Sequence, residues 1–150
     1  PAQAASAQAA PAQNDNPIQV RVITVRTGRL VCDIAIPDER FRHTTPRLAA
    51  FVERSYPDIP HHACVNGEGP LFGAVMERTS TAHLLEHIAI SLQTREATNA
   101  IEPFVGTTEW TDEAAGEARV EISFRDDLEA LRAFNEAVKF LNIAVLTCLA

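Results

Sequence analysis

Apolar and polar positions alternate from Ile18 to Val25 (Ile-Gln-Val-Arg-Val-Ile-Thr-Val), a β-branched run that predicts a strand with one polar face. Thr27-Gly28 is a turn signal, and residues 30–36 form a second strand stopped by Pro37. The rhythm then becomes helical. Thr44-Thr45-Pro46 is a helix start, and residues 47–55 carry Leu48, Phe51 and Val52 on one face before Tyr56-Pro57 ends it. Residues 60–73 read as a loop with a short extended segment at 62–65 and turn signals at Asn66-Gly67 and Gly69-Pro70. A second helix is expected from about Ser80 to Thr94, capped by Thr79 or Ser80. Residues 95–107 are irregular and close on Gly106, 107–111 are a candidate strand, Gly116 turns, and 118–124 alternate clearly. Asp126-Asp127 then caps a long helix to about Cys148, with Leu128, Leu131, Phe134, Val138, Leu141 and Val145 at helical spacing. This order predicts an α+β two-layer sandwich, an antiparallel sheet with helices packed on one face.

The second helix carries the candidate chemistry. His83, Glu86 and His87 stand in the order H-x-x-E-H, which on a helix puts the two histidines one turn apart with the glutamate beside them. Two neutral imidazoles so spaced can hold one zinc ion, and the glutamate can take a proton from metal-bound water. The order is that of the inverted zinc-peptidase motif. Leu84, Leu85, Ile88, Ala89 and Leu92 form a dry arc, whereas Ile90 interrupts the polar one, as in a partly covered cleft. The competing reading is the solvated face of an amphipathic helix with no metal.

A third protein ligand must come from elsewhere. Glu121 is the first choice, on the expectation that its alternating strand turns it toward the helices. His62 and Cys64 share a face of the extended segment and are alternatives, read first as packing and hydrogen-bonding residues. Glu109, Glu117, Glu129 and Glu136 have nothing to single them out; His43 and His61 flank turns, and Trp110 packs in the core or at its rim.

Composition narrows the function classes. Residues 1–13 are almost wholly Ala, Gln and Pro, so residues 1–17 read as a disordered tail ahead of a single domain at 18–150. The chain starts without Met or a basic-then-apolar signal, as a processed product or an excised piece would. Twenty acidic against 13 basic residues give a formal charge of −7, which argues against nucleic-acid and anionic-membrane partners. Three scattered cysteines without a C-x-x-C pair fit reduced thiols in a cytoplasmic protein. The last helix stays apolar to its end, as a homodimer surface would.

One stretch goes beyond periodicity. His62-Ala-Cys64, Gly67, Gly69, Val75, Glu77 and Thr79, leading into His83-Leu-Leu-Glu-His87 and on to Gln93, resembles the N-terminal domain of cyanophycin synthetases. The resemblance spans roughly residues 28–140 and is most specific at 62–93. It implies an accessory domain that binds an Asp/Arg polymer and, in some members, a metal-dependent site that trims it. By that likeness His83 and His87 are metal ligands and Glu86 is the glutamate of a zinc-hydrolase motif. The ligase modules of a synthetase are absent, Arg78 and Ala82 replace small residues, and Ser123 stands where a strand glutamate is often found. Two functions follow as expectations: a zinc-dependent hydrolase of peptide or isopeptide bonds, or a non-catalytic domain binding a polymer or a protein.

Overall fold

A computed structural model describes residues 15–97 and 103–150. Strands β1 (Gln19–Arg26) and β2 (Arg29–Ala35) make a hairpin, with Gly28 at φ 71° in the left-handed region that its missing Cβ allows. Helix α1 (Pro46–Ser55) begins at a Thr45 side-chain cap, with Pro46 in its first turn. A small hairpin of β3 (Ala63–Asn66) and β4 (Gly69–Leu71) follows, its turn held by Asn66 Oδ1, which accepts from the Glu68 and Gly69 amides. Helix α2 (Thr81–Glu96) is capped by Ser80. Strands β5 (Gly106–Asp112) and β6 (Glu117–Ser123) and helix α3 (Asp127–Leu149), capped by Asp126, complete the order.

The four long strands form one antiparallel sheet in the order β1-β2-β6-β5, and β3-β4 pair separately. The expected α+β sandwich is therefore the observed fold. Leu30, Cys32 and Ile34 of β2 and Ala118, Val120 and Ile122 of β6 form the buried side of the sheet. The helix layer meets them with Leu84, Leu85, Ile88 and Ala89 of α2 and with Phe134, Leu141 and Val145 of α3. Burial of this set supplies the main driving force, at roughly 1.5–3 kcal/mol per large side chain.

Helix α3 departs from the expected stripe. Leu128 is 64 % exposed, whereas Ala130, Ala133, Ala137 and Ala144 are buried. Small residues let α3 approach its neighbours closely, and Leu128, in the first turn, lies beyond the covered region. Asn142, inside this helix, is buried but satisfied: its Oδ1 accepts from the Ile18 amide at 2.8 Å and its Nδ2 donates to the Ile18 carbonyl at 3.2 Å. That clamp fixes the entry to β1, as a buried amide requires. The expected tail at 1–17 falls mostly on residues outside the described ones.

Candidate metal centre

Helix α2 is not the amphipathic element that its polar positions predict. Glu86 and His87 are only 4 % and 2 % exposed, although they lie on the polar arc. The sheet and α3 cover one side of the helix. On the other side Phe72 is fully buried, stacks on the His87 ring at 3.9 Å and meets the His83 ring edge-on at 4.8 Å. The solvated-face reading is thereby excluded for these residues, since the cost of burying them must be met by partners.

The partners are specific. Thr79 Oγ1 lies 2.9 Å from His83 Nδ1, and His62 Nδ1 lies 2.9 Å from His87 Nδ1. His62 in turn has its Nε2 2.9 Å from Asp58 Oδ2, and Ser91 Oγ donates to Asp58 Oδ1 at 2.9 Å. With Asp58 ionised, one proton assignment satisfies the chain from end to end. His62 Nε2–H donates to Asp58, and His87 Nδ1–H donates to His62 Nδ1, which leaves the His87 Nε2 lone pair unprotonated. Donation by His83 Nδ1–H to Thr79 frees His83 Nε2 in the same way. Such outer contacts orient metal-binding histidines and set their tautomer.

The two free nitrogens share their space with a thiol. Cys64 Sγ lies 3.5 Å from His83 Nε2, and Cys64, His83 and His87 each present a ligand atom within 4.8 Å of the others. One thiolate and two imidazoles suit zinc or a similarly soft divalent ion. Glu86 sits between the histidines, Oε1 4.0 Å from His83 Nε2 and Oε2 3.9 Å from His87 Nε2. Thr108 Oγ1 of β5 donates to Glu86 Oε1 at 2.6 Å. Gly106 has no room for a side chain here, because a Cβ would stand 2.9 Å from Glu86 Oε2.

Burial governs the electrostatics. It pushes the Glu86 carboxyl up to about 7, against the opposing hydrogen bond from Thr108. It drives His87 down to about 2, with the neighbouring His83 and His62 adding to the effect, and it lowers His83. Burial also acts upward on Asp58, but the hydrogen bonds from His62 and Ser91 outweigh it and hold this carboxyl below its ordinary value. Both helix histidines are thus held neutral, as ligation requires.

The other candidates fall elsewhere. Glu121 is not brought to this group: Ala118, Val120 and Ile122 take the helix side of β6, so Arg119, Glu121 and Ser123 take the other. There Glu121 pairs with Arg29. Cys64, the alternative candidate, is the residue that stands beside the two histidines. His43 and Trp110 lie at the rim, their rings 6.1 Å apart, and Glu109 lines the same opening; His61 is exposed. Asp58, Ser91, Thr108 and Phe72 were not singled out from the sequence, and Thr79 only as a helix cap and within the family-like stretch; the four-residue spacings Asp58–His62 and Thr79–His83 hint at two of these links. The group opens into a cleft of about 710 Å³ between α2, β3 and β5. Among the described residues no helix is long and apolar enough to cross a membrane.

No curated protein matches the chain. A family model does: that of the cyanophycin synthase-like N-terminal domain covers residues 29–145, from the first residue of β2 to near the end of α3, and includes every residue of the Cys64–His83–Glu86–His87 group. With that extent of match, the chain belongs to the cyanophycin synthase-like N-terminal domain family.

Proposed function

We propose that this domain is a zinc-dependent hydrolase of peptide or isopeptide bonds, with Cys64, His83 and His87 as metal ligands and Glu86 as the base. The observation that supports it most is the set of three ligand atoms within 4.8 Å of one another, with the Glu86 oxygens 4.0 and 3.9 Å from the Nε2 atoms of His83 and His87. A bound zinc ion would supply Lewis acidity, polarising a carbonyl and acidifying water. Glu86 accepts the proton of the attacking water and returns it to the leaving nitrogen, so water adds across the C–N bond. Thr108 holds the carboxylate in place for both transfers. Asp58 and His62 keep the His87 Nε2 lone pair directed into the site, and Thr79 does so for His83. The family name brings a cyanophycin-like polymer of Asp and Arg as the candidate substrate.

Elemental analysis of protein purified without chelator tests the reading. Close to one divalent ion per chain is expected, lost in His83→Ala and weakened in Cys64→Ser. Absence of metal after zinc is supplied in excess at neutral pH would leave the rival reading, a non-catalytic domain that binds a polymer or a protein.

A further inference from the structure

The wall of the cleft opposite β3 is a strand edge whose outward main chain is unused among the described residues. β5 is the outermost strand of the sheet, bonded on one side to β6. Its phase follows from one anchor: the Ser123 amide donates to the Val105 carbonyl at 2.8 Å. Successive residues of an antiparallel ladder turn their main-chain groups alternately toward and away from the partner. Thr107 and Glu109 therefore bond to Glu121 and Arg119, while Gly106, Thr108 and Trp110 turn N–H and C=O outward. Among the described residues nothing bonds to those outward groups.

This edge belongs to the metal centre. Residues 105–110 all line the cleft, with residues 63–65 of β3 on its other side. Thr108 presents outward main-chain groups and also donates its side chain to Glu86, and Gly106 abuts the same carboxylate. A ligand bonded to this edge thus lies beside the base. Donor and acceptor pairs at every second residue match the repeat of an extended α-peptide backbone, which lies about 4.8 Å from a strand that it joins.

We propose that the ligand of this cleft is an extended polypeptide main chain that adds to β5 as a fifth strand and is recognised through its backbone. Side chains of the ligand then alternate between the helix side, toward Trp110 and His43, and the open side. The assignment deepens the hydrolase reading and rests on it for the consequence of binding, but pairing along β5 needs no metal.

The experiment uses two probes on the whole chain, zinc-loaded and metal-free, followed by amide NMR. One is a blocked octapeptide of alternating serine and alanine; the other is the same peptide N-methylated at every residue, which removes the donors of both edges. The unmodified peptide at millimolar concentration should shift the amides of Gly106, Thr108 and Trp110 and slow their exchange, with or without zinc. The N-methylated peptide, which has no donor on either edge, should bind at least ~10-fold more weakly, since an edge is held by main-chain bonds. Equal binding of the two peptides, shifts confined to β1 or to the open sheet face, or no shift with either would overturn strand addition. Peptide cleavage without any response at β5 overturns it too while leaving the hydrolase intact; a response at β5 in a protein that binds no zinc supports strand addition and removes the hydrolase.

Discussion

His62 and His87 meet Nδ1 to Nδ1 at 2.9 Å, and this contact links a buried helix residue to the Asp58 carboxylate. Its consequence is directional. One of two facing nitrogens must donate, and donation from His87 is the arrangement that leaves Nε2 open toward Cys64 and His83. His62→Ala and Asp58→Asn should therefore weaken zinc binding by about 10–100-fold, the usual effect of losing an outer partner of a ligand. Competition with a chelator measures it. Cobalt-substituted protein should keep its thiolate charge-transfer band in both variants, because Cys64 is untouched.

Glu86→Gln separates base from ligand. The amide keeps the shape but cannot take a proton, so hydrolysis of a peptide should fall by at least about 100-fold. Metal content should stay the same. Loss of the ion in this variant, read by elemental analysis, would make Glu86 a fourth ligand.

The same variant predicts a pH effect in metal-free protein. The Glu86 carboxyl is raised from 4.5 to about 7 in the native state. Between those values the unfolded chain releases a proton that the native chain retains, so stability falls as pH rises. Glutamine has no proton to release. Glu86→Gln should match the parent below the lower value and exceed it, by up to about 3 kcal/mol, above the higher one. His87 acts in the opposite sense but equally in both proteins, so it cancels. Urea unfolding at acidic and mildly basic pH gives the comparison.

Gly106→Ala should damage the site without touching a ligand. The added Cβ would stand 2.6 Å from the Glu121 carbonyl and 2.9 Å from Glu86 Oε2. A clash with backbone cannot be relieved by a rotamer change, so a loss of about 1–3 kcal/mol is expected in denaturant unfolding. Hydrolysis should fall further than stability alone explains.

The hydrophobic assignment is checked on α3. Phe134 is fully buried, and its replacement by Ala should cost roughly 3–5 kcal/mol. Arg132 is exposed and, among the described residues, pairs only with Glu96, across 3.5 Å at the surface, so Arg132→Ala should cost less than about 0.5 kcal/mol. Equal losses in the two variants would contradict the packing described.

Local pattern alone determined the long elements and half of the site, but not the short strand β4 at Gly69–Leu71, where Gly69-Pro70 reads as a turn. Caps at Thr45, Ser80 and Asp126 act within one turn, and the strands declare themselves by alternation, so their places were legible without a partner. His83, Glu86 and His87 were legible for the same reason: residues three and four apart on a helix are neighbours whatever surrounds them. What covers that face was not. Its burial under Phe72, the bond to Thr108 and the approach of Cys64 depend on how β3 and β5 are brought to α2. Glu121 shows the limit most clearly. Alternation gives a strand two faces but does not by itself say which meets the helices. The apolar Ala118, Val120 and Ile122 carried that signal, and hydrophobic burial, not the need of a metal for a carboxylate, decided which way β6 turned.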